Sequence, residues 1–397
     1  MDPLRGIPLL GDLPPLEGKR VLVRVDFNVP LHIGVRGRAT VADDFRITAA
    51  LPTLRRLQDE GADVVAASHL GRPAGAPDPR WEMDPVRDRL QALCPGVELT
   101  ENLRFDPGEK ANDPAFVQRL IAGFDAYVDE AFGAAHRAHA SIVGPPRFLP
   151  SAAGLRFAKE IEILGGILEQ PARPFVAVVG GAKVADKLEV LKVLATKVDT
   201  LVVGGGMAYT FMAARGQHIG SSLLDEAHLD DCRALLDSGV DILLPSDTRA
   251  LEPGGTFGPP SVAHGPRGSV KVIEGDLPDG WNGLDIGPDS AAAFAEVVAG
   301  AGTVLWNGPL GAFETPPFDA GTNAFAHAVA AATRSGALLS VAGGGDTVSA
   351  LRHAGVLDQI SYVSTAGGAF LEWLEGKILP GVAALAASDP DPARDVA

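Results

Sequence analysis

Four arginines and one histidine carry the chemistry of the first part of this chain. Arg72 and His69 lie in SHLGR, directly after the apolar run DVVAA; Arg104 lies in ENLRF; Arg137 lies in AFGAAHRAH, after AYVDE. Asp26 and Asn28 follow a fourth run, VLVRV. Guanidinium forks grip carboxylates and phosphates through two parallel hydrogen bonds. Arg46 stands in the first turn of an expected helix that Asp43 or Asp44 can cap. A cation there opposes the helix dipole by about 0.3–1 kcal/mol, a cost that a bound anion reverses. The ordinary fate of a single arginine is a surface ion pair. Four at successive strand ends favour one anion site.

The later part carries glycine and lysine instead. Gly180-Gly-Ala-Lys183, Gly204-Gly-Gly206 and Gly343-Gly-Gly345-Asp346-Thr347 each follow an apolar run and precede a helical pattern. Glycine lets backbone approach a phosphate closely, and a helix N-terminus presents free N–H groups. Tight strand-to-helix turns explain any one of these runs equally well. None is G-x-x-x-x-G-K-[ST] or G-x-G-x-x-G. Lys183 and Lys187 are four apart and are expected on one face at the start of a helix. Asp346 is either an N-cap or a carboxylate for Mg²⁺ on nucleotide phosphates. Asn307-Gly-Pro309 ends a further run, and Glu314 beyond it is either a solvated loop acid or a partner for ribose hydroxyls.

These residues need a frame. Strands are expected at 20–26, 63–67, 126–129, 175–179, 200–203, 241–244, 303–306 and 338–342. They are rich in Val and Leu and mostly do not alternate, as buried parallel strands should. Ile47, Leu51, Leu54 and Leu57 recur at helical spacing, as do Val184, Leu188, Leu191 and Ala195. Alternating strand and helix implies α/β architecture with parallel sheets, whose ligands bind beyond the carboxyl ends of the strands. A helix over 157–170 and the turn Pro171-Ala-Arg-Pro174 mark a hinge. Residues 252–268 are rich in Gly and Pro and predict a surface excursion. The tail from Ala387 is expected to fray.

Composition narrows the function. The 397 residues suit two domains, and 46% hydrophobic content fills two cores. A net charge of −16 disfavours nucleic acid and anionic membranes as partners. Two distant cysteines predict a reducing compartment without disulfides. The N-terminal residues show no signal-peptide pattern, and no apolar run is long enough to span a bilayer. The expected location is the cytoplasm.

Taken together, the motifs resemble the phosphoglycerate kinase family. They are RVDFNVP (24–30), SHLGRP (68–73), ENLRF (101–105), AFGAAHRAHAS (131–141), GGAKVADK (180–187), GGGMAYTF (204–211), WNGPLGAFE (306–314), GGGDT (343–347) and STAGGAFLEWLEGK (364–377). The resemblance runs in order over nearly the whole chain. It implies two Rossmann-like domains with parallel sheets joined by a hinge helix. The first domain is residues 1–157, the hinge helix 158–170 and the second domain 171–378, with about 379–397 returning to the first. It implies transfer of a phosphoryl group between 1,3-bisphosphoglycerate and ADP, giving 3-phosphoglycerate and ATP, in a monomer that uses Mg²⁺. For 3-phosphoglycerate it implies Asp26, Asn28, Arg46, His69, Arg72, Arg104 and Arg137. For the nucleotide it implies Lys187, Gly206, Asn307, Pro309, Glu314, Gly344, Gly345, Asp346 and Thr347, with Asp346 holding the metal. Lys183, Arg46, Gly344 and Gly345 are the expected catalytic set, and closure about the hinge is the expected motion.

Two segments depart from the family pattern. HIGVRGRATVADD at 32–44 is longer than the usual link, and SDTRALEPGGTFGPPS, from 246, replaces a more apolar strand. The rival classes are a dinucleotide-dependent oxidoreductase and a hinged solute-binding protein. The first requires G-x-G-x-x-G with an acid about 20 residues on, which is missing. The second has no need of Lys183 and Lys187 beside a glycine run.

Overall fold

The computed structural model describes residues 4–34, 39–258 and 265–388. The chain divides into two compact units, Met1–Gly166 with Lys377–Ala397, and Ile167–Gly376.

The strands of the first unit are β1 (Arg20–Arg24), β2 (Leu31–Ile33), β3 (Ala39–Val41), β4 (Asp63–Ala67), β5 (Glu98–Leu99), β6 (Ala126–Asp129) and β7 (Ser151–Ala153). Five form a parallel sheet in the order β5-β4-β1-β6-β7. The central strand β1 is buried over Val21–Arg24, which is why its sequence does not alternate. β2 and β3 form a separate antiparallel ribbon. All of this ribbon but Leu31 lies within the unusual 32–44 segment, whose residues 35–38 lie outside the described residues.

The helices are α1 (Phe45–Asp59), α2 (Asp84–Leu93), α3 (Pro107–Ala111), α4 (Pro114–Ile121), α5 (Ala140–Val143) and α6 (Leu155–Glu169). Ile47, Leu51, Leu54 and Leu57 of α1 and Leu90 of α2 pack with Val21, Val23, Val64 and Val128. Burying each such side chain stabilises the fold by about 1.5–3 kcal/mol. On another cluster, Phe116 and Val117 of α4 join Leu22 and Tyr127. A short C-terminal helix, Pro380–Ala386, belongs to this unit too; Gly381 N donates to Ala135 O at 2.8 Å. The expected return of the chain beyond Ser388 lies outside the described residues. Helix α6 begins in the first unit, and the boundary between Gly166 and Ile167 falls inside it.

The second unit holds β8 (Phe175–Val179), β9 (Thr200–Val203), β10 (Asp241–Leu243), β11 (Asp247–Leu251), β12 (Val270–Glu274), β13 (Asn282–Ile286), β14 (Thr303–Asn307), β15 (Leu339–Ala342) and β16 (Tyr362–Val363). Six are parallel, in the order β10-β9-β8-β14-β15-β16. Its helices are α7 (Leu188–Ala195), α8 (Gly206–Ala214), α9 (Leu229–Leu236), α10 (Pro288–Ala299), α11 (Ala320–Arg334), α12 (Gly345–His353) and α13 (Gly368–Leu374). Trp306 and Phe325 meet edge to face in the core, with ring centres 4.9 Å apart.

The antiparallel sheet β12-β11-β13 was not foreseen. Its central strand β11 lies in the departing segment that starts at 246, where Asp247 accepts from the N–H groups of Asp289 and Ser290 and so caps α10. A lone polar strand such as DTRAL shows no buried-strand pattern, and its partners are supplied from a distance.

Candidate functional sites

The expected acid-binding residues of the first unit sit where β1, β4, β5 and β6 end. Phe27 N donates to Ser68 Oγ at 2.9 Å, which ties the end of β1 to that of β4. Gly71 N donates to Asn28 Oδ1 at 2.8 Å, and Arg104 Nη1 donates to Gly71 O at 2.7 Å. Arg46 reaches back from α1 to Asp26. Asp43 Oδ1 accepts from Phe45 N at 2.9 Å, so Asp43 serves the first turn of α1, while the side chain of Asp44 makes no cap bond. Asp26, Asn28, Arg46, His69 and Arg104 are thus brought together. Arg137 and Arg72 are exposed beside them.

Surface pairing does not explain these arginines. Arg46 alone pairs with a carboxylate. Arg72, Arg104 and Arg137 make no ion pair among the described residues, and Arg104 Nε is buried without a hydrogen-bond acceptor. Burial, then Arg137 and Arg24, push the Arg104 guanidinium down to about 10. For Asp26, burial acts to raise its pKa, but Arg46, His69 and Arg24 outweigh it and hold the carboxyl below its ordinary range. His69 lies well below the usual histidine value because of its burial and then Arg24, so it is neutral at pH 7. The cluster combines buried Arg24 and Arg104 with more exposed arginines and is short of counter-charge, which is what an anion site needs.

Sequence reasoning missed the layer beneath. Arg24, only 1% exposed, donates from Nε to Ser141 Oγ at 2.8 Å and from Nη2 to His69 Nδ1 at 3.2 Å. Ser141 donates through N and Oγ to the fully buried Glu109, at 2.9 and 2.7 Å. Asn102 bonds Leu70 through both its amide and its carbonyl oxygen. One signal was available: an arginine within an otherwise apolar buried strand demands partners.

In the second unit, the glycine runs and Asn307 gather at the ends of β8, β9, β14 and β15. Lys187 Nζ donates to Gly180 O at 2.6 Å and Asn307 O at 2.9 Å. Burial pulls its pKa down to about 8, against the charges of Asp346 and Asp186. Asn307 Nδ2 donates to Gly343 O at 2.7 Å, and Gly308 N donates to Thr347 Oγ1 at 2.7 Å. A cavity of about 420 Å³ opens here, lined by Gly181, Gly206, Leu223, Pro309, Glu314 and Asp346 among others. Its walls join apolar side chains with bare backbone, suited to a flat ring and a polyanion.

Three expectations need correction. Lys183 and Lys187 do not share a helix face: α7 begins only at Leu188, with Lys187 as its N-cap residue and Lys183 exposed in the preceding loop. A desolvated Lys187 bonded to two carbonyls holds the chain out of helix. For the same reason the Gly180 run does not open a helix directly. Asp346 is not an N-cap; Gly344, with φ of 95°, takes that place, and Asp346 is exposed in the first turn of α12. Some of the glycines also serve packing. A Cβ on Gly205, at φ of 67°, would lie 2.7 Å from Gly181 O. Among the described residues no group of three or more acids, histidines or cysteines can cage a metal. Cys94 and Cys232 are free and buried, and among the described residues no helix is long and apolar enough to cross a membrane.

Two parallel-sheet α/β units, one with an arginine cluster short of counter-charge and one with a glycine-walled cavity, define a phosphotransferase of the two-domain α/β class. The phosphoglycerate kinase family model matches residues 10–100 and 95–377. A phosphoglycerate kinase of Rubrobacter xylanophilus is 47% identical over 93% of this chain and 96% of its own length. That of Deinococcus radiodurans is 45% identical, covering 94% and 93%. The solved phosphoglycerate kinase of Coxiella burnetii superposes with a TM-score of 0.83 at 37% identity, covering 96% of this chain and 98% of that one. The chain belongs to the phosphoglycerate kinase family. It is a glycolytic kinase that transfers a phosphoryl group reversibly between 1,3-bisphosphoglycerate and ADP, giving 3-phosphoglycerate and ATP. Neither rival class is supported.

Proposed function

We propose that the first unit binds 3-phosphoglycerate through Asp26, Asn28, Arg46, His69, Arg72, Arg104 and Arg137. The second binds the nucleotide through Lys187, Gly206, Asn307, Pro309, Glu314 and Gly344 to Thr347. Helix α6 links these two domains in a chain that works as a monomer in the cytoplasm. The observation that carries the acid site is Arg104, a desolvated guanidinium with no carboxylate partner and a buried, acceptor-less Nε.

The chemistry is positioning and charge. The attacking carboxylate of 3-phosphoglycerate is already ionised at neutral pH, so no general base is needed. Lys183 is exposed and forms no ion pair with any described residue, which leaves its ammonium free for the phosphoryl in transfer. Gly344 and Gly345 begin α12, whose first-turn N–H groups have no partners within the helix and can take equatorial oxygens. Arg46 assists from the acid site. Asp346 fits Mg²⁺ as its lone protein carboxylate, because Mg²⁺ on nucleotides takes one or two carboxylates and completes its shell with phosphate and water. The ion neutralises phosphate charge when bound.

Arg104→Ala tests the assignment. Losing one charge-assisted bond costs about 1.5–3 kcal/mol, or roughly 10- to 150-fold in affinity. KM for 3-phosphoglycerate should rise by that factor, with KM for ATP unchanged. Equal weakening of both substrates would break the two-site assignment.

A further inference from the structure

Glu109 lies outside every substrate contact proposed above, yet it is completely buried and both its oxygens are engaged. Its partner Ser141 is also held by Tyr127, whose hydroxyl donates to Ser141 O at 2.8 Å. With its own proton donated to Glu109, the Ser141 hydroxyl has a lone pair left for Arg24 Nε. The guanidinium is thereby pinned, with its Nη1 on Val25 O and its Nη2 on His69 Nδ1.

Arginine has only donors. His69 Nδ1 must therefore accept, so in the neutral ring the hydrogen sits on Nε2. We infer that Glu109, acting through Ser141 and Arg24, is a positioning residue of the acid site that fixes His69 as the Nε2–H tautomer, a hydrogen-bond donor to a substrate oxygen. The inference rests on the reading that 3-phosphoglycerate binds at this edge. Burial, Arg24 and the neighbouring arginines keep His69 uncharged, so its tautomer decides what it can offer. His139 does not compete for Glu109 as a cation. It stands 3.8 Å away, but burial and then Arg104 and Arg137 take it down to about 4, leaving it neutral at pH 7.

The sign of the effect separates this role from simple counter-charge. Removing a buried negative charge beside an anion site would strengthen anion binding. Removing a positioning group weakens it.

Ser141→Ala is the primary variant, since it deletes one hydroxyl, and Glu109→Gln is the second. In the wild type, ¹⁵N NMR of the His69 ring should show a pyridine-like Nδ1 and a pyrrole-like Nε2. In Ser141→Ala the two forms should mix, and KM for 3-phosphoglycerate should rise about threefold to tenfold, with kcat and KM for ATP unchanged. Glu109→Gln should move the same way. His69→Gln, which can present an N–H near the Nε2 position, should keep more affinity than His69→Asn. An unchanged tautomer and KM in Ser141→Ala, or a lowered KM in Glu109→Gln, overturns the inference. If His69→Ala itself leaves KM for 3-phosphoglycerate unaltered, the acid-site reading fails and the relay fails with it. A raised KM in His69→Ala beside a wild-type Ser141→Ala sinks the relay alone.

Discussion

Binding of nucleotide should draw a proton onto Lys187. In the nucleotide-free chain the Lys187 ammonium is buried against two carbonyls, and desolvation pulls its pKa down to about 8. A phosphate beside it returns that pKa to the ordinary lysine value of about 10.4. The change in protonation then gives an uptake of about 0.1 proton per bound nucleotide at pH 7, about 0.5 at pH 8 and about 0.9 at pH 9. By the same linkage the affinity should fall with pH above 8, approaching about tenfold per pH unit. Calorimetry with ADP in two buffers of different ionisation enthalpy measures the uptake directly. ADP phosphates titrate near pH 6, so they are silent at pH 8 and above. Asp285 is also raised, to about 8, and lies under the cavity loop, so the difference from Lys187→Met carries the test. Methionine keeps the apolar stem and cannot take a proton. Uptake at pH 8 and 9 that is absent in the wild type, or identical in Lys187→Met, refutes a phosphate contact at Lys187.

Lys183→Ala should lower turnover by about 10²-fold or more while leaving nucleotide affinity nearly intact, since the role proposed for it is toward the phosphoryl in transfer; near-normal turnover removes Lys183 from the chemistry. Asp285→Asn should change how stability depends on pH. Burial keeps this carboxyl protonated up to about 8 in the folded chain, whereas the unfolded chain releases the proton near the ordinary value of 3.8. The folded state therefore binds the extra proton between these limits, and wild-type stability declines as pH rises through them. Asparagine removes that decline, so the variant should gain thermal midpoint relative to wild type between pH 5 and 8.5. Parallel curves would refute the raised pKa.

The buried parallel strands were legible because they carry their signal in themselves. Val21–Val23, Val176–Val179 and Leu201–Val203 are apolar without alternation, as residues covered on both faces must be. Strand ends were legible too, since polar residues directly after such runs have nowhere to go but the sheet edge. The sheet β12-β11-β13 was not, because its strands mix polar with apolar residues and pair with partners distant in sequence. The placement of Lys183 and Lys187 failed for a related reason. Four-residue spacing implies a shared helical face only if the helix has begun, and two carbonyl contacts from Lys187 postpone it to Leu188. Glu109 and Ser141 were invisible in principle: they are separated from each other by 32 residues and from Arg24 by 85 and 117, and only the fold brings them to hydrogen-bond distance.

Charge explains why the arginines gather in so acidic a chain. The net formal charge is −16, yet around the acid site Arg24, Arg46, Arg72, Arg104 and Arg137 stand with Asp26 and Glu109 as the carboxylates. His69 and His139 are held neutral, and burial pushes Asp129 up to about 7, so it offsets only part of one charge. The surplus is between two and three positive charges on about that accounting. A carboxylate with a phosphate monoester carries about −2.5 to −3 at neutral pH. On the proposed assignment, 3-phosphoglycerate carries the charge that would balance this surplus. Burial first, and then repulsion from Arg137 and Arg24, lower the Arg104 pKa, and a bound anion at the proposed site would offset both.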